Sequence, residues 1–274
     1  MAIKLGIVGG GVMGEALLSR LIAQQLYRPE DVLVSEPQAH QRDLLARKYG
    51  VQVTSRNRAV AAVSDILLLA IKPQVFEAVA IELAEDNGER PDKELLPVVV
   101  SILAGVSLSK LEAAFGRQPV IRAMPNTPAT VGAGITAIAP GKTVSKSQKE
   151  QAIAIFQAVG EVVEVSESLM DAVTGLSGSG PAYVAILIEA LADGGVAAGL
   201  PRAIASQLAL STVLGTAQLL QQSELHPAQL KDRVTSPGGT TIAGIAELER
   251  AGFRSALIEA VLAAKERSRQ LGQG

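Results

Sequence analysis

Three glycines at positions 9, 11 and 14, set behind the mostly apolar run Ile3–Val8, constrain this chain more than any other feature. Gly9-Gly10-Gly11-Val12-Met13-Gly14 fits G-x-G-x-x-G and opens the helix-like run Met13–Gln25. The bare pattern recurs by chance. Between a strand and a helix it specifies a geometry. Gly9 permits a tight turn, Gly11 lets backbone approach a pyrophosphate, and Gly14 lets helix and strand pack closely. A purely structural glycine turn is the alternative, and it leaves the strand-then-helix context unexplained.

The pattern downstream extends that unit. Val32–Ser35, Val51–Thr54, Asp65–Ile71 and Pro97–Leu103 read as buried strands. They alternate with helical segments His40–Tyr49, Asn57–Val63 and Gln74–Glu85, and Gly50 is placed to end the first of these. Val120–Ala123 and Ile135–Ala139 are further strands around the loop Met124–Gly134. Ser145 is placed to cap a helix over Lys146–Val159, and Val162–Val165 is a last short strand. Apolar strands alternating with helices indicate a mostly parallel, doubly wound sheet covered on both faces. After Ser166 the strand pattern stops. Helical segments run over 169–175, 181–198, 202–222, 241–251 and 254–271. The expected organisation is an α/β Rossmann domain over residues 1–165, followed by an all-α domain over 166–274.

Residues 181–198 are apolar on nearly every face, with only Glu189 and Asp193 charged. Such a helix must be buried all round. A deep interface within one chain and an intertwined homodimer both satisfy this, and the small C-terminal bundle favours the homodimer.

Composition removes several function classes. Hydrophobic residues make up 48% of the 274 and charged residues 19%, which excludes general disorder. A net charge of −2, with 3% aromatics and no Trp, argues against nucleic acid as a partner. There is no Cys, and His40 and His226 show no ligand spacing, so no metal site is expected and a reducing, cytoplasmic setting fits. The N-terminal run enters the glycines without a cleavage-type segment, unlike a signal peptide. Arg202 and Glu224 bracket a stretch without charge, long enough for a membrane span. Ser206, Gln207, Ser211, Thr212 and Gln218 within it favour a buried helix and no membrane.

Several loops carry candidate chemistry. Glu36 follows the second strand, where an acid can accept bonds from a free adenosine ribose and would repel a 2′-phosphate. Ser35, Asn57 and Arg42 could instead help bind that phosphate, so NADH and NADPH both remain open. Ala70-Ile71-Lys72-Pro73 lies beyond a core strand, at the end where open α/β sheets bind ligands. Lys72 is equally well read as a surface lysine. Met124-Pro125-Asn126-Thr127-Pro128 is either a functional loop or a proline-stiffened connection. Gly175-Leu176-Ser177-Gly178-Ser179-Gly180-Pro181 invites a hydrolase reading, but it lacks the last glycine of G-x-S-x-G and no strand precedes it. Ser179 or Gly180 reads as a helix cap, with Pro181 in the first turn. Ser236-Pro237-Gly238-Gly239-Thr240-Thr241 joins two glycines and three hydroxyls ahead of an apolar helical run. Helix-start N–H groups there favour a small carboxylate.

These stretches together closely resemble pyrroline-5-carboxylate reductases over essentially the whole chain. The matching segments are residues 9–14, Ala70–Gln74, Arg122–Pro128, Thr174–Tyr183, Ala190–Pro201 and Lys231–Thr241. The resemblance implies reduction of 1-pyrroline-5-carboxylate to L-proline with NADPH or NADH, the last step of proline synthesis. It implies a Rossmann domain followed by an all-helical dimerisation domain, with active sites completed by the neighbouring chain; larger rings of dimers occur in the family. By match, Gly9, Gly11, Val12 and Met13, then Asn57, then Ala70, Lys72 and Pro73 line the cofactor. Val8, Gly10, Ser35, Glu36 and Ile71 complete the expected cofactor set. Ser236, Gly239, Thr240 and Thr241 are expected to hold the substrate, with Thr241 hydrogen-bonding the ring nitrogen as the catalytic residue. Glu224 matches an acidic position before the substrate loop. Glu36 departs from the pattern, since NADPH-using members often carry a small hydroxyl residue there. The rival readings are another Rossmann-plus-helical imine or hydroxyacid oxidoreductase and a non-catalytic dinucleotide-binding regulator. Hydroxyacid enzymes of this type usually centre on a lysine in the first long helix of the second domain, and 181–198 has none.

Overall fold

The computed structural model describes residues 3–61, 65–84 and 97–273. Met1, Ala2 and the far ends of the expected helices, Ala62, Val63 and Glu85, lie outside the described residues. The chain divides into two compact units, Met1–Gly178 with Ala263–Gly274, and Ser179–Leu262.

The first unit is built on one sheet of eight strands in the order β3-β2-β1-β4-β5-β6-β7-β8. β1 (Leu5–Val8) leads into α1 (Val12–Ala23), then β2 (Val32–Ser35), α2 (Ala39–Tyr49) and β3 (Gln52–Thr54). β4 (Ile66–Leu69), α3 (Phe76–Ala84), β5 (Val98–Ser101), α4 (Leu108–Phe115) and β6 (Val120–Met124) follow. β7 (Gly134–Pro140), α5 (Lys146–Gln157) and β8 (Gly160–Glu164) complete the sheet. The 3-2-1-4-5-6 core is the doubly wound order, in which ligands sit beyond the strands' carboxyl ends where the order reverses. That point falls between β1 and β4, which pair in parallel with Leu5 opposite Ile66. The direction reverses once, between β6 and β7, which pair antiparallel with Ile121 opposite Pro140, so β7 and β8 both run against the other six strands.

The apolar runs read from the sequence are buried on both faces. Ile66 and Leu68 of β4 pack into the layer with Leu17, Leu45 and Phe156. Leu67 and Leu69 pack into the opposite layer with Phe76 and Leu111. Helix ends follow their chemistry. Gly50 ends α2 in the left-handed conformation. Ser145 and Gln148 form a reciprocal capping box on α5.

Three local expectations are corrected. Asn57–Val60 is a single 3₁₀ turn rather than an α-helix. Leu108–Phe115 is a helix that the sequence pattern did not declare, opened by Ser107 accepting from the Lys110 N–H. Ser179 does stand at the N-cap position of α7, but with a right-handed helical backbone and no side-chain capping bond. The chain is already turning through α6 (Met170–Val173) and a π-helical turn, Thr174–Gly178, before α7 (Gly180–Ala197). Continuous helix leaves no free N–H groups for a cap. Ser177 bonds back to the Val173 carbonyl (3.2 Å), which suits a helix interior and no nucleophile.

Within the second unit α7 is followed by α8 (Arg202–Ser223), α9 (Pro227–Arg233), α10 (Thr240–Arg250) and the start of α11 (Phe253–Gln273). α9 was also unforeseen. Its cap is His226, whose ring nitrogen accepts from the Ala228 N–H, and a histidine cap is outside the usual Ser, Thr, Asp and Asn signal. The buried apolar cluster here is only Ala192, Ala205 and Ala209, with Ile188 and Val196 against it. The small side chains let α7 and α8 approach closely. Ile186 stays 64% exposed and Leu208 52%. By length and composition alone, the run Glu167–Ala197 and helix α8 would suffice to cross a membrane.

Candidate functional site

At the carboxyl end of β1 the backbone makes its turn at Gly9, with φ +103°. The Gly9 N–H donates to the Ser35 carbonyl (2.8 Å). A Cβ on Gly9 would lie 2.6 Å from the Ala70 carbonyl oxygen, and one on Gly14 would lie 2.2 Å from that of Gly9. Neither position tolerates a side chain without backbone movement. Gly11 differs: a Cβ there would meet nothing within 4 Å. Gly11 is the N-cap of α1 and makes no side-chain capping bond, so the first N–H groups of the helix face an open cradle. Open helix N–H groups plus the macrodipole suit a pyrophosphate. The cradle therefore fits a dinucleotide. Val8 is buried beneath it, Val12 is exposed at its rim, and Met13 is half-buried.

The loop is braced from α2. Gln41 donates one amide to the Gly10 carbonyl (2.8 Å) and to Glu15 Oε2 (3.2 Å). Lys48 and the Tyr49 hydroxyl both donate to Glu15 Oε1 at 2.9 Å. Burial pushes the Glu15 carboxyl up, but the bonds from Lys48, Tyr49 and Gln41 outweigh it and hold it below its ordinary range. No periodicity or motif flagged Gln41; its role depends on the packing of α2 beside the loop.

Beyond β2, Glu36 is 7% exposed. Its Oε2 accepts from the Gly10 N–H and its Oε1 from the Gln38 N–H, both at 3.0 Å. Ser35 donates to Asn57 Oδ1 (2.5 Å). Glu82 of α3 accepts from both the Asn57 backbone N–H (3.1 Å) and its side-chain amide (2.9 Å). Arg42 donates to the carbonyls of Glu36 (2.7 Å) and Pro37 (2.8 Å). Thus Ser35, Glu36 and Asn57 come together at one end of the sheet. Glu82 joins them from outside the sequence-derived set.

The segment after β4 runs along the same carboxyl edge. The Ala70 N–H donates to the Val8 carbonyl (2.8 Å), which fixes Ala70 beside Gly9. Ala70 and Ile71 are half-buried, Lys72 is exposed, and Pro73 opens a short 3₁₀ turn, Pro73–Val75. In the loop after β6, Asn126 Oδ1 accepts from the Ile135 N–H (2.9 Å). That bond braces the turn back to β7 and favours the connection reading of this loop.

In the second unit, Ser236–Gly239 closes a tight turn in which the Gly239 N–H donates to the Ser236 carbonyl (3.0 Å). Gly239 is the N-cap of α10 and provides no capping side chain. Thr240 is the first helical residue and Thr241 the second. Neither hydroxyl makes a hydrogen bond among the described residues. Thr241 is half-buried, while Ser236 and Thr240 are exposed. The loop thus presents unpaired helix-start N–H groups beside unengaged hydroxyls, a donor set matched to a small carboxylate. Glu224, which ends α8, holds a left-handed backbone at φ +54°, an uncommon conformation for a residue with a side chain. Among the described residues no His, Asp and Glu cluster is arranged to hold a metal ion.

Comparisons with known proteins agree with both halves. Residues 167–271 match the family described as pyrroline-5-carboxylate reductase dimerisation, and residues 4–105 that described as NADP oxidoreductase, coenzyme F420-dependent. A pyrroline-5-carboxylate reductase of Synechocystis is 61% identical over 273 residues, covering 100% of both chains. The solved structure of a pyrroline-5-carboxylate reductase from Coxiella burnetii superposes with a TM-score of 0.89 at 36% identity, covering 99% of each chain. That of Plasmodium falciparum pyrroline carboxylate reductase with NADP bound gives 0.87 at 32% identity, covering 98% of each.

Proposed function

The chain belongs to the pyrroline-5-carboxylate reductase family, and from that premise we infer how its residues divide the work. The reaction is the NAD(P)H-dependent reduction of 1-pyrroline-5-carboxylate to L-proline. The observation that carries it is 61% identity to a reductase over the full length, joined to a glycine cradle at one sheet end and a donor-rich helix start in the second unit. A reduced nicotinamide supplies a hydride to the carbon of the ring C=N bond. The nitrogen gains a proton, so the products are proline and the oxidised cofactor.

The residue roles are our proposal. Gly9, Gly10 and Gly11, with the α1 N–H groups of Val12 and Met13, hold the pyrophosphate over Val8. Ser35, Glu36 and Asn57 define the adenosine end. Ala70, Ile71, Lys72 and Pro73 border the cofactor along the same edge. Ser236, Gly239 and Thr240 fix the substrate carboxylate. The Thr241 hydroxyl orients the ring nitrogen by a hydrogen bond, accepting from its N–H when the imine is protonated. A protonated imine is already electrophilic, so alignment and a satisfied carboxylate are what the protein must provide.

We further propose that a second copy of this chain covers the apolar faces of α7 and α8. The exposed Ile186 and Leu208, and the match of 167–271 to a dimerisation family, support the homodimer over a bilayer. Assembly of dimers into a larger ring, a cytoplasmic location, and the absence of nucleic-acid and membrane partners belong to the same proposal. The test of activity is direct. Purified protein should consume NADH or NADPH, read at about 340 nm, only when pyrroline-5-carboxylate is present. A folded sample silent with both cofactors overturns the assignment.

A further inference from the structure

We propose that the adenosine end of the site is built against a 2′-phosphate, so that this chain takes NADH in preference to NADPH. The inference rests on the reductase reading and sharpens it to one cofactor. Its first support is the fixed position of Glu36. The two N–H bonds from Gly10 and Gln38 hold the carboxylate beside the glycine loop, where the ribose of a bound dinucleotide lies. Each carboxylate oxygen keeps a lone pair for a ribose hydroxyl. The same oxygens oppose a phosphate of like charge, strongly so for a side chain this buried.

The second support is that the two polar side chains nearest Glu36, those of Ser35 and Asn57, are engaged with one another and with Glu82. The Ser35 hydroxyl donates to Asn57. Asn57 in turn gives both its backbone N–H and its side-chain amide to Glu82. A second carboxylate, that of Glu82, therefore stands beside Asn57 and occupies its donors. Arg42 reaches the carbonyls of Glu36 and Pro37 and does not pair with the Glu36 carboxylate. A 2′-phosphate would therefore compete with this set for donors while sitting against the Glu36 carboxylate.

Equilibrium binding to the intact protein tests the proposal without turnover. By calorimetry, NADH should bind at least about tenfold tighter than NADPH, a gap of roughly 1.4 kcal/mol. The half-ligands 5′-AMP and 2′,5′-ADP should rank in the same order. Glu36→Gln keeps an oxygen for the Gly10 N–H and removes the charge. It should narrow the NADH-to-NADPH ratio about tenfold, mainly by tightening the 2′-phosphate ligands. Repulsion is screened by salt, so the wild-type ratio should shrink between low and high ionic strength, and that of Glu36→Gln should shrink clearly less. Glu82→Gln, remote from the glycine loop, should move the ratio the same way by a smaller factor. Equal wild-type affinities, or a ratio unmoved by Glu36→Gln and by salt, overturns the proposal. Reductase turnover persisting with both cofactors would then leave the family activity standing. A protein that prefers NADH but never reduces the imine would do the reverse.

Discussion

In β4 every residue from Ile66 to Leu69 is buried within a single chain, whereas α7 and α8 leave Ile186, Leu208 and Leu214 more than half exposed. Both regions carry several large aliphatic side chains, so the presence of such residues does not by itself separate them. The sheet finishes its burial locally, with a helix layer on each face, and its glycine loop is braced by Gln41 and Glu36 of the same unit. The helical unit has an alanine contact for a core and an unpaired helix start for a site. The sheet unit thus completes its burial on its own, while α7 and α8 leave large apolar side chains exposed.

The sharpest way to break that contrast is to truncate one leucine on each side. Leu68→Ala removes a fully buried side chain from the central strand and should cost roughly 2–5 kcal/mol at every protein concentration. If the proposed second copy buries it, Leu208→Ala should lose about 1–3 kcal/mol, with a melting temperature that depends on concentration. Melts over a hundredfold dilution series read both effects. A Leu208→Ala melt indistinguishable from wild type at all concentrations would remove the asymmetry.

Thr241→Val sharpens the contrast at the site itself. Because Gly239 caps α10 and Thr241 is the second helical residue, the hydroxyl is not holding the helix end. The variant should lose about 2 kcal/mol in kcat/KM for the imine, while NADH affinity and the melting temperature stay close to wild type. A destabilised variant with normal turnover would reject the proposed role.

The smallest expected effect lies behind the glycine loop. The folded-state pKa of Glu15 sits below its ordinary value of 4.5. Its contribution to stability is complete above that value and is lost as pH falls through the folded value. Glu15→Gln should therefore lower stability at neutral pH and flatten the acid limb of the pH–stability curve. An acid limb identical to that of wild type would mean that the Gln41, Lys48 and Tyr49 bonds do not stabilise the loop.

What the sequence could and could not convey follows the same division. The strands, α1, α2 and the Gly50 and Ser145 helix ends were readable because apolar runs and capping residues act over a few neighbours. The placement of Glu36 after β2 was readable too. Its bond to Gly10 was not, because the pair is set by sheet pairing across 26 residues. Glu82 escaped notice for the same reason, since it meets Asn57 only through the packing of α3. The π turn at 174–178 carries no sequence signal distinct from a glycine-rich loop, which is why Ser179 read as a cap. α4 spans only about two turns, too short a window for periodicity to show.

One dilution series decides whether the helical unit works only as a dimer: mass by light scattering and reductase turnover, measured on the same samples. The mass should be no smaller than a dimer wherever the protein is active, with turnover falling in step as the dimer dissociates. A monomer of about 28 kDa with full activity would contradict it.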